Sequence, residues 1–205
     1  MSSHRLVLAT RNVGKIEELR RILSNLVSDQ NETIELLGTD EFGLEDVEET
    51  GDSFASNALI KARAVSEATG LPAIADDSGL CVDALNGMPG IYSARWSGRH
   101  GDDRANLDLL LAQLSHVPEE RRGAHFACAA ALVVPGIAEI VEEGRIYGRL
   151  ISQPQGTGGF GYDPIFMPIG LDQTLAQMGA DEKDAISHRG LAFRALTPHL
   201  TRLFI

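Results

Sequence analysis

Leu71-Pro-Ala-Ile-Ala-Asp-Asp-Ser-Gly79 decides the fold: a short apolar run stops on two adjacent carboxylates and a glycine turn at Ser78-Gly79. Such a run reads as a buried strand. Carboxylates at a strand's carboxyl end are where open α/β sheets place metals and substrates. Two neighbouring acids repel each other and lose solvation when partly buried, so the pair calls for a compensating cation, with Mg²⁺ the first candidate.

The elements on either side of this run extend the pattern. Upstream, Arg5 to Thr10 reads as a strand, and Ile16, Leu19, Ile22, Leu23 and Leu26 line one face of a following helix. Thr33 to Leu37 reads as a second short strand and the acidic stretch Asp40 to Asp52 as a loop. A helix from about Ser53 turns Phe54, Ala58, Leu59, Ala62 and Val65 inward and stops at Gly70, with Pro72 beyond. Downstream, Leu80 to Leu85 reads as a further strand, and Asn86 to Gly101 as a glycine-rich loop carrying Tyr92, Arg95 and Trp96. Asp103 to Leu114 reads as a helix. Phe126–Val134 and Ile137–Ile146 flank Pro135-Gly136 as a hairpin would, which makes the sheet mixed. Ser152 to Pro164 holds too many glycines for an element interior, and a last helix runs from about Ser187 towards Phe204.

Composition narrows the function. The 205 residues are enough for one compact unit or two small lobes sharing a core. Eighteen Lys and Arg against 29 Asp and Glu give a net charge of −11, which opposes binding to nucleic acid or to anionic membranes. An anionic ligand therefore needs local cations, backbone N–H groups or a metal. Cys81 and Cys128 sit in apolar patterns and read as small buried residues rather than a disulfide, which fits a reducing cytosol. Met1 to Leu8 lacks an extended hydrophobic segment, and the longest apolar run, Phe126 to Val134, is well short of the ~20 residues that span a bilayer. The chain reads as soluble and untargeted.

Four clusters can carry chemistry. Thr10-Arg-Asn-Val-Gly-Lys15 opens the first helix, where free N–H groups and the Lys15 ammonium attract phosphate; Thr10 or Asn12 can equally be a plain cap above a solvated lysine. Gly156-Thr-Gly-Gly-Phe-Gly-Tyr-Asp163 is a second cradle in which Phe160 or Tyr162 can stack on a base, or simply a flexible loop. It is neither a Walker A loop nor a dinucleotide fingerprint. Lys183 with Ser187-His188-Arg189 sets cations at a helix start, against the dipole, which points to an anionic or carbonyl acceptor or to pairing with Asp181 or Glu182. Arg and His also suit a purine O6. Finally, Glu48-Glu49-Thr50-Gly51 precedes the helix that leads back to Asp76-Asp77, so one glutamate can join Asp77 on Mg²⁺; the charge run can also be a solvated loop. Ser78 lacks a nucleophile-elbow context, and adjacent aspartates do not make the Asp-x-Asp pair of haloacid-dehalogenase phosphotransferases.

With Asn57-Ala58, Lys61-Ala62, Pro89 to Arg95 and Ser187-His188-Arg189-Gly190 added, these motifs resemble, nearly end to end, the inosine/xanthosine triphosphate pyrophosphatase family. The resemblance implies an α/β (mixed α+β) fold of two lobes around a long mixed β-sheet with flanking helices, one domain over residues 1–205, and a nucleotide cleft between the lobes. It also implies a homodimer and Mg²⁺-dependent hydrolysis of ITP, dITP and XTP to monophosphate and pyrophosphate, while the cysteine reading makes the expected location cytoplasmic. By position, Thr10, Arg11, Asn12, Val13, Gly14 and Lys15 would grip phosphates, Asp77 would be general base and metal ligand, and Glu48, or its neighbour Glu49, the second metal ligand. Ser78, Phe160, Gly161, Tyr162, Asp163, Lys183, His188 and Arg189 would line the nucleotide site. Two rivals are a non-catalytic nucleotide-binding regulator on the same fold and a Maf-type pyrophosphatase acting on pyrimidine or modified nucleotides.

Overall fold

The computed structural model describes residues 3–10, 13–27 and 33–204. The elements run β1 (Ser3–Leu8), α1 (Val13–Val27), β2 (Thr33–Gly38), α2 (Phe54–Thr69), β3 (Ala73–Val82), α3 (Asp103–Gln113), β4 (Gly123–Val134), β5 (Ala138–Leu150), β6 (Phe166–Pro168), α4 (Ala180–Ile186) and α5 (His188–Phe204). The strands form one mixed sheet in the order β2-β1-β3-β4-β5-β6. β1 pairs parallel with β2 and with β3, whereas β6 pairs antiparallel with β5.

The chain divides into two compact units, one of residues 1–77, 128–144 and 189–205, the other of residues 78–127 and 145–188. In the first unit the period-2 alternation of strands sorts side chains onto two faces. Leu6, Leu8, Ile74, Cys128, Ala130 and Leu132 pack with Leu19 and Ile22 of α1 and with Ala192, Phe193 and Leu196 of α5. The residues between them, Val7, Ala9, Ala73, Ala75, Ala129 and Ala131, pack with Ala58, Ala62 and Val65 of α2. This unit is therefore a helix–sheet–helix sandwich. The small residues on the α2 face let that helix lie close to the strands. In the second unit, Leu80 and Val82 of β3, Leu107, Leu110 and Leu114, Phe126, Leu150 and Phe166 share one core with the buried ring of Tyr162.

α2 shows how the sequence sets its own limits. Ser53, in extended conformation, accepts from the Ser56 N–H as N-cap, and Gly70 takes the left-handed C-cap at φ 67°. The hairpin expected around Pro135-Gly136 is present, closed by the Ile137 N–H donating to the Val134 carbonyl at 3.0 Å. Both cysteines are buried and unbridged.

The reading of the aspartate run needs correction. Ala73 to Val82 is one continuous ten-residue strand, and Ser78-Gly79 is not a turn. Asp76 and Asp77 lie in mid-strand instead of at its carboxyl end. What ends there is the neighbour: β1, which stops at Leu8, pairs with β3 through Val7 and Leu8, against Ala73 and Ile74, and the Ala9 N–H donates to the Ile74 carbonyl at 2.7 Å. The two acids come directly after their neighbour strand has left, which is chemically equivalent to a strand end. Two short elements, β6 and the seven-residue α4, were not expected from the sequence.

Candidate functional site

Adjacent residues of a strand point to opposite faces, so Asp76 and Asp77 enter different surroundings. Asp76 lies on the α1/α5 face. Its Oδ2 receives the Lys15 ammonium at 3.1 Å and the Arg189 Nε at 3.1 Å. Arg189, fully enclosed, also donates through Nη1 to Glu18 of α1. Burial by itself would push the Asp76 carboxyl up, but the charges of Lys15, Arg189 and Lys61 outweigh it and hold it well below the usual carboxylate range. The same carboxylates push the Arg189 guanidinium up against its burial. Asp76, which the sequence left without a role, is thus the anchor that keeps Lys15 and Arg189 in place.

Asp77 lies on the α2 face. Its Oδ2 accepts from the Asn57 amide at 3.0 Å. The Lys61 ammonium donates to Glu49 at 2.6 Å and to the Asp76 main-chain carbonyl at 2.8 Å. Burial raises the Asp77 carboxyl above its ordinary value, and the Glu49 charge adds to this, while Lys61, Lys15 and the Asn57 hydrogen bond oppose it. The Glu49 charge beside a buried Asp77 carboxylate is unfavourable at rest, and a cation between them would relieve it. Glu49 is the member of the acidic loop whose charge reaches Asp77; Glu48 is solvent-exposed.

Among the described residues no three His, Cys, Asp or Glu side chains converge as a metal cage. The donor set that is present, the buried Asp77 carboxylate and the partly exposed Glu49 carboxylate, fits Mg²⁺, which is held by one or two carboxylates and completes its shell with waters and phosphate oxygens. Zinc, which takes three or four protein ligands, does not fit.

The other expected residues fall as follows. Thr10 follows β1, Gly14 and Lys15 open α1, and Val13 is the first helical residue; Arg11 and Asn12 lie outside the described residues. In the second unit, Lys183 of α4 donates to Asp163 at 2.6 Å, and the same Asp163 oxygen accepts from the Phe160 N–H at 2.9 Å. This fixes the glycine loop: a Cβ on Gly159, which sits at φ 69°, would come within 2.0 Å of the Asp163 carboxylate. Lys183 lies 5.0 Å above the Phe160 ring, which is half-exposed. The Gly161 N–H donates to Asp103. Tyr162 is a core residue, with its hydroxyl donating to the Ser93 carbonyl at 2.9 Å, so Phe160 is the loop ring left for stacking. The His188 ring stacks on Phe126 at 4.8 Å, and Ser78 is half-buried on β3. Arg189 does pair with acids, but with Glu18 and Asp76 and not with Asp181 or Glu182. No helix among the described residues is long and apolar enough to cross a membrane.

Comparison with known proteins agrees along the whole chain. Residues 6–199 match the model of the Ham1 family. A dITP/XTP pyrophosphatase of Streptomyces coelicolor is 62% identical over 200 residues, 97% of this chain and 98% of that protein. A dITP/XTP pyrophosphatase of Nocardia farcinica is 54% identical over 209 residues, covering 99% of this chain and 98% of its own. Among solved structures, the Ham1 protein of Staphylococcus aureus superposes with a TM-score of 0.84 at 39% identity, covering 96% of this chain and 98% of that one.

Proposed function

This chain belongs to the Ham1 family, and we propose on that premise that it hydrolyses dITP, XTP and ITP to the monophosphate and pyrophosphate, clearing deaminated purines from the nucleotide pool. The relatives' activity supplies the substrate class. The observation that carries the chemistry is Asp77: a buried carboxylate, raised in pKa, hydrogen-bonded by Asn57 and accompanied by Glu49 and Lys61.

In this reading Asp77 takes the proton from the attacking water, and its raised basicity suits that task. Asp77 with Glu49, or Glu48 after a shift of the loop, would hold Mg²⁺. Bound there, the cation would neutralise phosphate oxygens and polarise the bond between the α and β phosphates. The N–H groups at the start of α1, with Thr10 and Lys15, receive the triphosphate. Asp76 keeps Lys15 aimed while 15% of the lysine side chain stays exposed.

For the base, Phe160 offers a stacking face, and Lys183 and His188 offer donors. A site built around donors to O6 rejects adenine, which presents an amino group there, by as much as about 10⁴-fold. Arg189 gains no support as the O6 reader, because its Nε and Nη1 already donate to Asp76 and Glu18. The proposal extends to a cytoplasmic homodimer, which sedimentation of the purified protein tests. A pyrophosphate-release panel with Mg²⁺ tests the activity: dITP, XTP and ITP are expected to turn over far faster than ATP, GTP and the pyrimidine triphosphates. Equal rates across the panel would overturn the specificity.

A further inference from the structure

Asn57 is an unusual residue for its place. It sits in the first turns of α2, wholly buried, where an apolar side chain would suit the helix and the packing better. A buried amide is retained at such a position when both of its ends are satisfied. Here they are. The Gly51 N–H donates to Asn57 Oδ1 at 2.8 Å, and Asn57 Nδ2 donates to Asp77 Oδ2 at 3.0 Å.

The first of these bonds fixes the second. A backbone N–H can only donate, so the amide atom facing Gly51 has to be the oxygen, and the atom facing Asp77 has to be the NH₂ group. The amide cannot flip without losing both bonds. Gly51 is itself shaped to this contact: a Cβ there would lie 2.7 Å from Asn57 Oδ1 and 2.2 Å from Ser56 Oγ. One side chain therefore joins the end of the Glu48-Glu49-Thr50-Gly51 loop to the carboxylate on the neighbouring strand.

We propose that Asn57 is a positioning residue for Asp77: its amide sets the orientation of the carboxylate and ties it to the acidic loop, so that the two move as one. The proposal rests on the reading of Asp77 as the working carboxylate. Asn57 touches neither water nor substrate in this role; it acts through Asp77 and through the loop.

The two arms of the amide can be separated by substitution. Asn57→Asp keeps an acceptor for Gly51 but replaces the donor to Asp77 with an oxygen. Asn57→Ala removes both. Turnover of dITP with Mg²⁺ is measured for each, together with hydrogen exchange of the Gly51 amide in the metal-free protein and the thermal midpoint. For Asn57→Asp, kcat is expected to fall about 10²-fold, the loss typical of a misplaced reacting group, with KM little changed and Gly51 as protected as in the parent. For Asn57→Ala, kcat falls likewise and Gly51 exchanges faster. Parental kcat in Asn57→Asp would overturn the proposal, since the loop tether alone would then suffice. Asp77→Asn serves as control: if it remains active, the reading of Asp77 fails, independently of what the Asn57 variants do.

Discussion

The face of β3 that carries Asp76 and the face that carries Asp77 differ in charge, although the two residues are adjacent in the chain. On the α1/α5 face two cations, Lys15 and Arg189, meet two carboxylates, Asp76 and Glu18, and the result is a closed network with almost no solvent contact except at Lys15. On the α2 face two carboxylates, Asp77 and Glu49, meet one cation, Lys61, and one amide, Asn57. The first face is balanced and the second is short of positive charge. Burial pushes both carboxyls up; the cations around Asp76 outweigh it and hold that group low, whereas around Asp77 they do not, and that group stays raised. If Asp77 is the working carboxylate, as proposed, structural stability and chemical reactivity fall on opposite sides of one strand, and neighbouring positions in sequence need not share a function.

The largest expected effect tests the reactive face. Asp77→Asn should lower kcat by about 10²–10⁴-fold, the range of a lost general base. Because burial raises this carboxyl, its ionised form costs stability at neutral pH: the contribution of Asp77 is fully favourable only below its unfolded pKa and is lost as pH rises through the folded one. The variant should therefore melt no lower than the parent at pH 7, with any gain vanishing below about pH 4. A large drop in midpoint would mean that Asp77 holds the fold together as Asp76 does.

Asp76→Asn should behave in the opposite way. It leaves two buried cations short of a carboxylate, so urea unfolding at pH 7 should show a loss of about 3 kcal/mol. With the folded pKa depressed, this contribution is present above the unfolded value and disappears as pH falls through the folded one, so parent and variant should converge under strongly acidic conditions. Unchanged stability at pH 7 would erase the distinction between the faces.

Gly51→Ala forces a methyl against Ser56 Oγ and Asn57 and should cost about 1–3 kcal/mol, as overpacking does, while slowing turnover through the acidic loop. The smallest effect is expected from Arg63→Ala. That residue also lies on α2 and pairs with Glu139, but about half of each side chain is in solvent, and the unfolding midpoint should not move measurably. A clear shift there would show that exposed charge on this helix matters as much as the buried set.

Much of this was legible in the sequence because it is local. Ser53 and Gly70 announce the limits of α2, and Pro135-Gly136 announces the hairpin. The residues worth testing were legible too, since Thr10 to Lys15, Asp77 and the Phe160 loop stand in distinctive motifs. Their partners were not. Arg189 finds Asp76 across 113 residues and Glu18 across 171, and no local pattern encodes such pairs. The aspartates were placed at a strand end because Ser-Gly usually turns; only the length of the neighbouring strand shows that β3 continues while β1 stops. β6 has three residues and α4 seven, too few for a periodicity to emerge.

The balance of charge around Asp76 bears on how fast a ligand can arrive. Its cations are already neutralised by their own carboxylates, so they project little field beyond contact distance, and the chain as a whole carries −11. A nucleoside triphosphate therefore diffuses towards a protein that repels it and is attracted only on arrival. Electrostatic steering works against the encounter, and moderate salt, by shortening the Debye length, should quicken association where for an oppositely charged pair it would slow it.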